Sequence, residues 1–462
     1  MIWLILILSL ILRSINLNQS LWWDEAINVV YAKSYPFWWY ITEYPVGDFH
    51  PPGYFALLWI WGHIFGFSEI MVRLPSVILG VATVWLTYLL GKELFNKKTA
   101  LIGSMLIAIA PLHVYYSQEA RMYAFVAFSV TLSFYFLNKI FLKKKGALIG
   151  YIMSIFLILY SDYLAYLVIP SQLIYLVWSQ RINKEILFSL CISSLTIMPW
   201  FSIFLSQLQL GITTTYILSG WREVVGGSEV KDLLLIPLKI FFGRVTFLDR
   251  NIYIVLSIVT GFIFSLVFFF GIRIRKLDQE TKFLLSWLFI PLVLAFVISF
   301  FIPVLSYFRI TFILPAFYLV LARGIQNLPK KLSFFLWGCI FLISLLSLFA
   351  YYINPAFQRE DWRGAISFIS KRLDNQSLVV FENNEIPAPV RYYSSDLTFY
   401  KPGLSEGLDK DLDNVNKIYL FEYLVEVYDP VRTVESTLKE LNYVKTQTFN
   451  FDGVGFVHFY TK

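Results

Sequence analysis

The sequence predicts a polytopic α-helical membrane protein of about eleven spans, with a small soluble α/β domain at its C-terminal end on the non-cytoplasmic side. Composition, the spacing of apolar runs and an abrupt change after Tyr352 carry this expectation. The 462 residues are 58% hydrophobic and only 15% charged, where a soluble domain usually has about 25% charged residues. The deficit falls in apolar runs of roughly 15–22 residues, each able to cross a hydrocarbon core about 30 Å thick. Such a run fits a bilayer only as a helix, because its backbone groups must be satisfied internally. The net charge of +7 lies in short loops between these runs. No basic stripe interleaved with aromatics falls on a soluble domain, which excludes nucleic acid as a partner.

In chain order the expected spans are Ile2–Ile15, Leu74–Leu90, Thr99–Tyr116, Met122–Ile140, Ala147–Ser161, Tyr163–Trp178, Ile186–Leu205, Ile252–Ile272, Phe283–Ile302, Ile310–Ala322 and Leu332–Tyr352. The first is expected to stay uncleaved, since no Lys or Arg precedes it and no small-residue cleavage site follows. Alternate loops are basic: Lys92, Lys97 and Lys98; Lys139 and Lys143–Lys145; Arg181 and Lys184; Arg273, Arg275, Lys276 and Lys282; Arg323, Lys330 and Lys331. The positive-inside rule puts them, and the N-terminus, in the cytoplasm of a plasma-membrane protein. Tyr54–Phe67 is too short for a span and contains His63. It reads as an interfacial or re-entrant helix within a Trp-rich outer loop over residues 16–73. A second outer loop, Ser206–Asn251, contains another apolar patch at Leu233–Phe242. Cys191 and Cys339 fall inside apolar runs and read as small buried hydrophobes. The membrane domain thus covers residues 1–353 and the soluble domain 354–462. Within the latter, helices are expected at Asp361–Leu373 and Pro430–Leu441, the second with Asp429 as its cap. Strands are expected at Ser377–Phe381, Lys417–Phe421, Val444–Phe449 and Val454–Tyr460.

The chemistry-bearing residues cluster in the outer loops. The first opens with Trp22-Trp23-Asp24-Glu25-Ala26, two carboxylates flanked by apolar residues at the membrane surface. Desolvation raises a carboxylate's proton affinity, which suits a general base. His50-Pro51-Pro52-Gly53-Tyr54 leads into the juxtamembrane helix, the prolines fixing its first turn. Arg73 stands at the mouth of the second span, where snorkelling is the plainer alternative. Ser117-Gln118-Glu119-Ala120-Arg121-Met122-Tyr123 joins the third and fourth spans, and Glu119 pairing with Arg121 is its plain reading. Asp162 and Tyr163, then Arg309, mark later outer turns. The span centres lack ionisable residues, apart from His113 near an outer end. An ion-driven transporter would carry them at mid-depth. The chemistry is therefore expected in an outward cavity.

These motifs, in this order, resemble the GT-C glycosyltransferases of family 39 type, the dolichyl-phosphate-mannose protein mannosyltransferases and aminoarabinose transferase-like proteins. Asp361-Trp362-Arg363 at the start of the soluble domain is also similar to that group. The Lys that the mannosyltransferases have shortly after His-Pro-Pro is missing, and Asp162-Tyr163 stands where relatives often have His-Tyr. The resemblance implies transfer of a sugar, with inversion, from a polyprenyl-phosphate donor to an extracytoplasmic lipid, glycan or protein acceptor. It implies Asp24 as base and Glu25 as its orienting partner. Arg73, Arg121 and Arg309 become candidates for the donor phosphate, which guanidinium groups match bidentately. His50, Glu119, Tyr123, Asp162 and Tyr163 would line the substrate cavity. No cofactor is required, although some relatives bind a divalent ion, for which His50 and Glu119 are the candidate ligands. The alternatives are a polymerase or ligase using a diphosphate-linked glycan, and a multispan lipid transporter.

Overall fold

The computed structural model describes residues 1–217, 229–246, 249–272, 277–404, 408–412 and 414–462. The basic residues Arg273, Arg275 and Lys276, and parts of the second outer loop, lie outside the described residues. Among the described residues, six helices are long and apolar enough to cross a membrane: Glu69–Leu94, Tyr123–Phe141, Lys184–Thr214, Arg250–Ile272, Gln279–Ser299 and Lys330–Ile353. A seventh candidate is Lys97–Ala108 with Pro111–Ser117, bent by 61°. Ile2–Ser14, Gly53–Phe65, Ala147–Leu159 and Tyr163–Trp178 are shorter apolar helices.

The bend has a local cause. Pro111 cannot donate to the preceding turn. Arg13, fully buried in the first helix, donates to the freed carbonyls of Ala108 at 3.0 Å and Ile107 at 3.4 Å, and contacts His113 at 2.7 Å. Arg13 stands at the last turn of its helix, so the centre of that helix keeps its expected lack of ionisable groups. Cys191 departs from expectation, lying exposed on the face of its helix. Helix Arg250–Ile272 crosses Leu314–Asn327 through glycine. A Cβ on Gly324 would stand 1.9 Å from the Val267 carbonyl oxygen, and one on Gly271 would stand 2.2 Å from that of Val320. Small residues at such crossings let helix backbones approach where lipid supplies no hydrophobic drive.

The C-terminal domain is a five-stranded sheet in the order β2-β1-β3-β5-β4. Its strands are β1 (Ser377–Phe381), β2 (Tyr400–Pro402), β3 (Lys417–Glu422), β4 (Val444–Phe451) and β5 (Gly455–Thr461). β1 runs parallel to β2 and β3, while β5 is antiparallel to β3 and β4. Alternation along β1 sends Val379 and Phe381 to the helix Trp362–Ser370, and Leu378 and Val380 to Thr433–Glu440. Both faces are covered, as parallel strands require. Asp429 caps the latter helix, accepting from the Thr433 and Val434 amides. β2 has three residues, too few to show a sequence period.

The domain docks against the end of the bundle that carries the outer loops. Arg363 meets Glu69 at 3.2 Å, the Tyr393 hydroxyl accepts from the Leu21 amide, and the Tyr392 hydroxyl donates to the Phe67 carbonyl. Gly324→Val should destabilise the bundle by more than the ~1–3 kcal/mol typical of an overpacked core, because the clashing atom is a backbone oxygen. A thermal melt in detergent indistinguishable from wild type would contradict this crossing.

Candidate active site

The site is assembled around a carboxylate that never meets solvent. The helix Trp23–Ser34 begins immediately before Asp24 and Glu25, and the Glu25 side chain is completely buried. Arg73 donates to it through Nε at 2.8 Å and Nη2 at 2.5 Å, and the Ala120 amide adds a third bond at 2.8 Å. Burial pushes the Glu25 carboxyl up, but the charge and hydrogen bonds of Arg73 outweigh it and hold it below the ordinary glutamate value. Arg73 spends its remaining donors on the carbonyls of Leu17, Gln19 and Ser20 and is 1% exposed. It has no donor left for a phosphate, which corrects the reading taken from its position. Glu25 is likewise a positioning residue out of reach of any substrate.

Asp24 has the opposite setting. Its side chain remains 37% exposed, in a recess, with Arg121 Nη2 at 3.6 Å. Lost hydration raises its proton affinity. Arg121 opposes this, Asp48 adds to it, and His50 and Arg309 oppose it. Arg121 also bonds Asp48 at 2.9 Å, and Asp48 bonds His50 Nδ1 at 2.5 Å. His50 Nε2 then lies 3.6 Å from Asp162. Carboxylates alternate along this chain with the His50 ring and the Arg121 guanidinium, so each group is paired although most are buried. Burial pushes the Asp48 carboxyl up, yet Arg121 and His50 bring it down to about 2. Arg121 is thus engaged by two carboxylates, and its Nε has no partner among the described residues. Tyr163 acts one step back. Its hydroxyl donates to Gln207, whose amide holds the carbonyls of Pro45 and His50.

Glu119 does not pair with Arg121. Arg359, from the start of the soluble domain, reaches it at 2.8 Å and lies 3.8 Å over the Tyr115 ring. Burial raises the Glu119 carboxyl above its ordinary value, more than the Arg359 charge lowers it. His50 and Glu119 therefore have separate partners, and no group of three or more metal-ligating side chains occurs among the described residues. The donor set does not fit a resident ion, since the Arg121 guanidinium stands between Asp24 and Asp48.

Three cations without a carboxylate partner among the described residues gather at the turn Tyr307–Arg309. Arg244 donates to the Tyr307 hydroxyl at 2.8 Å and lies over the Tyr115 ring, and Lys239 lies 5.7 Å over the Tyr307 ring. Arg309 has only the Val304 carbonyl at 3.4 Å and the Phe308 ring. Tyr123 packs on Phe308 and Tyr116, between these cations and the Asp24 recess. Gly243, at φ 64°, turns the chain hard against Pro111 to deliver Arg244. Sequence reasoning singled out Arg309 alone. A cation just after a glycine that closes an apolar helix was the available signal for Arg244.

Known proteins of this shape define the class. ArnT from Cupriavidus metallidurans aligns over 99% of this chain and 97% of its own, at 11% identity and a TM-score of 0.57. Its structure bound to undecaprenyl phosphate aligns equally broadly, at 9% identity and a TM-score of 0.56. An Archaeoglobus fulgidus oligosaccharyltransferase in complex with zinc and sulfate covers 98% of this chain and 72% of its own, at 14% identity and a TM-score of 0.52. The fold is that of the GT-C glycosyltransferases, a multipass membrane protein with a small C-terminal sheet domain. Residues 49–206 match the family model described as dolichyl-phosphate-mannose-protein mannosyltransferase. YkcB of Bacillus subtilis (strain 168), named as a candidate mannosyltransferase, is 27% identical over 246 residues. An Aquifex aeolicus (strain VF5) protein without a described function is 25% identical over 318 residues. The alignments span 33% and 58% of those two relatives' lengths.

Glu25→Gln or Arg73→Met should each destabilise the protein by about 3–5 kcal/mol, since each leaves a buried charge unpaired. The double variant Glu25→Leu/Arg73→Met should lose less than the sum of the two. Thermal unfolding in detergent measures all three, and strict additivity would show that the pair is not coupled.

Proposed function

We propose that the protein transfers a sugar from a polyprenyl-phosphate donor to an extracytoplasmic acceptor hydroxyl, with inversion and with Asp24 as general base. The observation that carries this reading is the pairing of two dissimilar places at one end of the bundle. One is a reachable carboxylate with raised proton affinity; the other is a cluster of Lys239, Arg244 and Arg309, none of which forms an ion pair among the described residues. Undecaprenyl phosphate in the structure of ArnT supports a lipid-phosphate donor.

A phosphate ester is already a good leaving group, so the reaction needs a base and an anion site more than a strong acid. Asp24 accepts the proton of the acceptor hydroxyl. The hydroxyl oxygen bonds the anomeric carbon, and the carbon–oxygen bond to phosphate breaks with its electron pair leaving on the phosphate. Arg244, Arg309 and Lys239 stabilise that charge, with guanidinium groups suited to bidentate contact. Arg121 holds Asp24 in place and limits the rise of its pKa. One displacement at the anomeric carbon inverts it, whereas retention would require a second carboxylate as nucleophile. Glu25, locked on Arg73, is unavailable for that role. In this reading the basic loops face the cytoplasm and this end of the bundle faces outside, which the positive-inside rule supports.

Transfer from radiolabelled polyprenyl-monophosphate sugars to membrane extract, wild type beside Asp24→Asn, tests the assignment. The variant keeps the shape of the side chain and should lose transfer at least a hundredfold; wild-type turnover in it would sink the base assignment. Because the Asp24 pKa is raised, the active deprotonated form is lost as pH falls through that raised value. The acid limb of kcat/KM should therefore sit above the ordinary aspartate range and vanish in Asp24→Asn. Arg244→Gln should raise the donor KM about tenfold or more, and an unaltered donor KM and kcat would remove Arg244 from the phosphate site.

A further inference from the structure

The C-terminal domain contributes a surface next to Asp24 for which the transfer step has as yet no use. A cavity of about 370 Å³ opens between Trp23 and the segments that follow β1 and β3, lined by Trp23, Asn383, Asn384, Glu385 and Tyr428. That volume lies within the roughly 300–1,000 Å³ of small-molecule sites. Trp23 precedes the proposed base directly. Its indole is fixed by stacking on Tyr423, with ring centroids 5.3 Å apart, and its amide donates to Glu360 at 3.2 Å. Tyr428 lies close enough to Asp24 and Glu385 for both charges to raise its phenol pKa, adding to the larger effect of burial. Asn383 is 3% exposed and its side-chain oxygen accepts from the Glu385 amide, which fixes the loop. Asn384 and Glu385 are exposed at the mouth.

The lining has a definite chemistry. Two aromatic faces offer contact area to C–H groups, and two carboxamides both donate and accept hydrogen bonds. One carboxylate accepts strongly. Among the described residues no basic side chain lines the cavity itself, and Arg391, on the adjoining recess, stands 4.0 Å from Glu385. Sugar rings match this lining: apolar C–H faces, with hydroxyls at the rim that donate and accept in turn.

We propose that this cavity is the acceptor subsite and that the acceptor is a carbohydrate, its ring resting against Trp23 and Tyr428 and its hydroxyls bonded by Asn384 and Glu385. This inference rests on the transferase reading, and it makes the C-terminal domain the part of the protein that selects the acceptor. Seated there, the sugar presents one hydroxyl to Asp24, which takes its proton as the oxygen bonds the donor's anomeric carbon.

Saturation-transfer NMR on the full chain in phospholipid nanodiscs free of sugar headgroups tests the site without turnover. The probes are maltotriose, mannotriose and chitotriose, with a serine-containing pentapeptide beside them. At least one trisaccharide should receive saturation on its ring protons, and the pentapeptide none. Asn384→Ala, at an exposed position, and Tyr428→Ala should each reduce the trisaccharide signal at least fivefold. In the transfer assay they should raise the acceptor KM at least tenfold with kcat within about twofold. Trisaccharide signals that are absent, or that persist unchanged in both variants, overturn the proposal. With Asp24-dependent transfer intact, that result removes the acceptor site alone. Trisaccharide binding in a chain that transfers nothing removes the transferase reading and keeps the saccharide site. Nanodiscs carrying a monoglucosyl diacylglycerol separate two sources of the sugar. Displacement of the trisaccharide puts it on a membrane lipid and no displacement puts it on a soluble glycan; either result keeps the saccharide class.

Discussion

A carboxylate removed from water must find a donor for each of its oxygens, and Glu25 is where this constraint is most severe. Its side chain is fully buried, and its bonds come from the mouth of the helix Glu69–Leu94, from the turn at Ala120 and from the Trp22 amide. Arg73 in turn gathers the carbonyls of Leu17, Gln19 and Ser20. Three separate segments are thereby tied at one buried point. Asp24 and Arg121 are chain neighbours of the tied residues Glu25 and Ala120, so their positions follow from a pair that takes no part in chemistry. The tolerance of a reacting group is a fraction of an ångström, which rigid buried partners can hold and a surface loop cannot.

From that anchor the polar groups divide into two electrostatic districts. Asp162, His50, Asp48, Arg121 and Asp24 form a row in which each carboxylate faces the His50 ring or the Arg121 guanidinium. Pairing keeps such a row stable under partial burial, and only its last member is open enough to meet a substrate. Lys239, Arg244 and Arg309 rest instead on aromatic rings and carbonyls. Rings satisfy a cation weakly compared with a carboxylate. Attraction for an incoming anion therefore remains high there and low along the balanced row. The Tyr116–Tyr123–Phe308 rings pack beside them, and the Arg309 charge still reaches Asp24.

The C-terminal domain belongs to this arrangement by contact as well as by covalent attachment. Arg359 neutralises Glu119 across a separation of 240 residues and stacks on Tyr115. Glu360 receives hydrogen bonds from Trp23, Trp362 and Tyr423. Burial still lifts its carboxyl to about 7, against the pull of those bonds. The residues that join the bundle to the sheet domain thus also hold the tryptophan beside Asp24, so the docking of the domain and the shape of the recess are one structural fact.

The apolar runs, the Asp24–Glu25 pair and the strands expected at Ser377–Phe381 and Lys417–Phe421 were legible in the sequence, because each depends on neighbours within a few residues. Hydropathy fixes a helix in lipid, and alternation fixes a strand. The sequence also brought Asp24, His50, Glu119, Arg121, Asp162 and Arg309 to one end of the bundle, since loop parity alone decides that. It could not decide which arginine is spent and which is free. Arg73 and Arg309 look alike as guanidinium groups at helix mouths, and only the fold shows that one is saturated by Glu25 from 48 residues away while the other has rings and a carbonyl. Arg244, Lys239 and the Trp23–Asn384–Tyr428 cavity were hidden for the same reason. Hydropathy is a property of a segment, whereas the free valence of a charged side chain is set by partners that the chain brings together only when it folds.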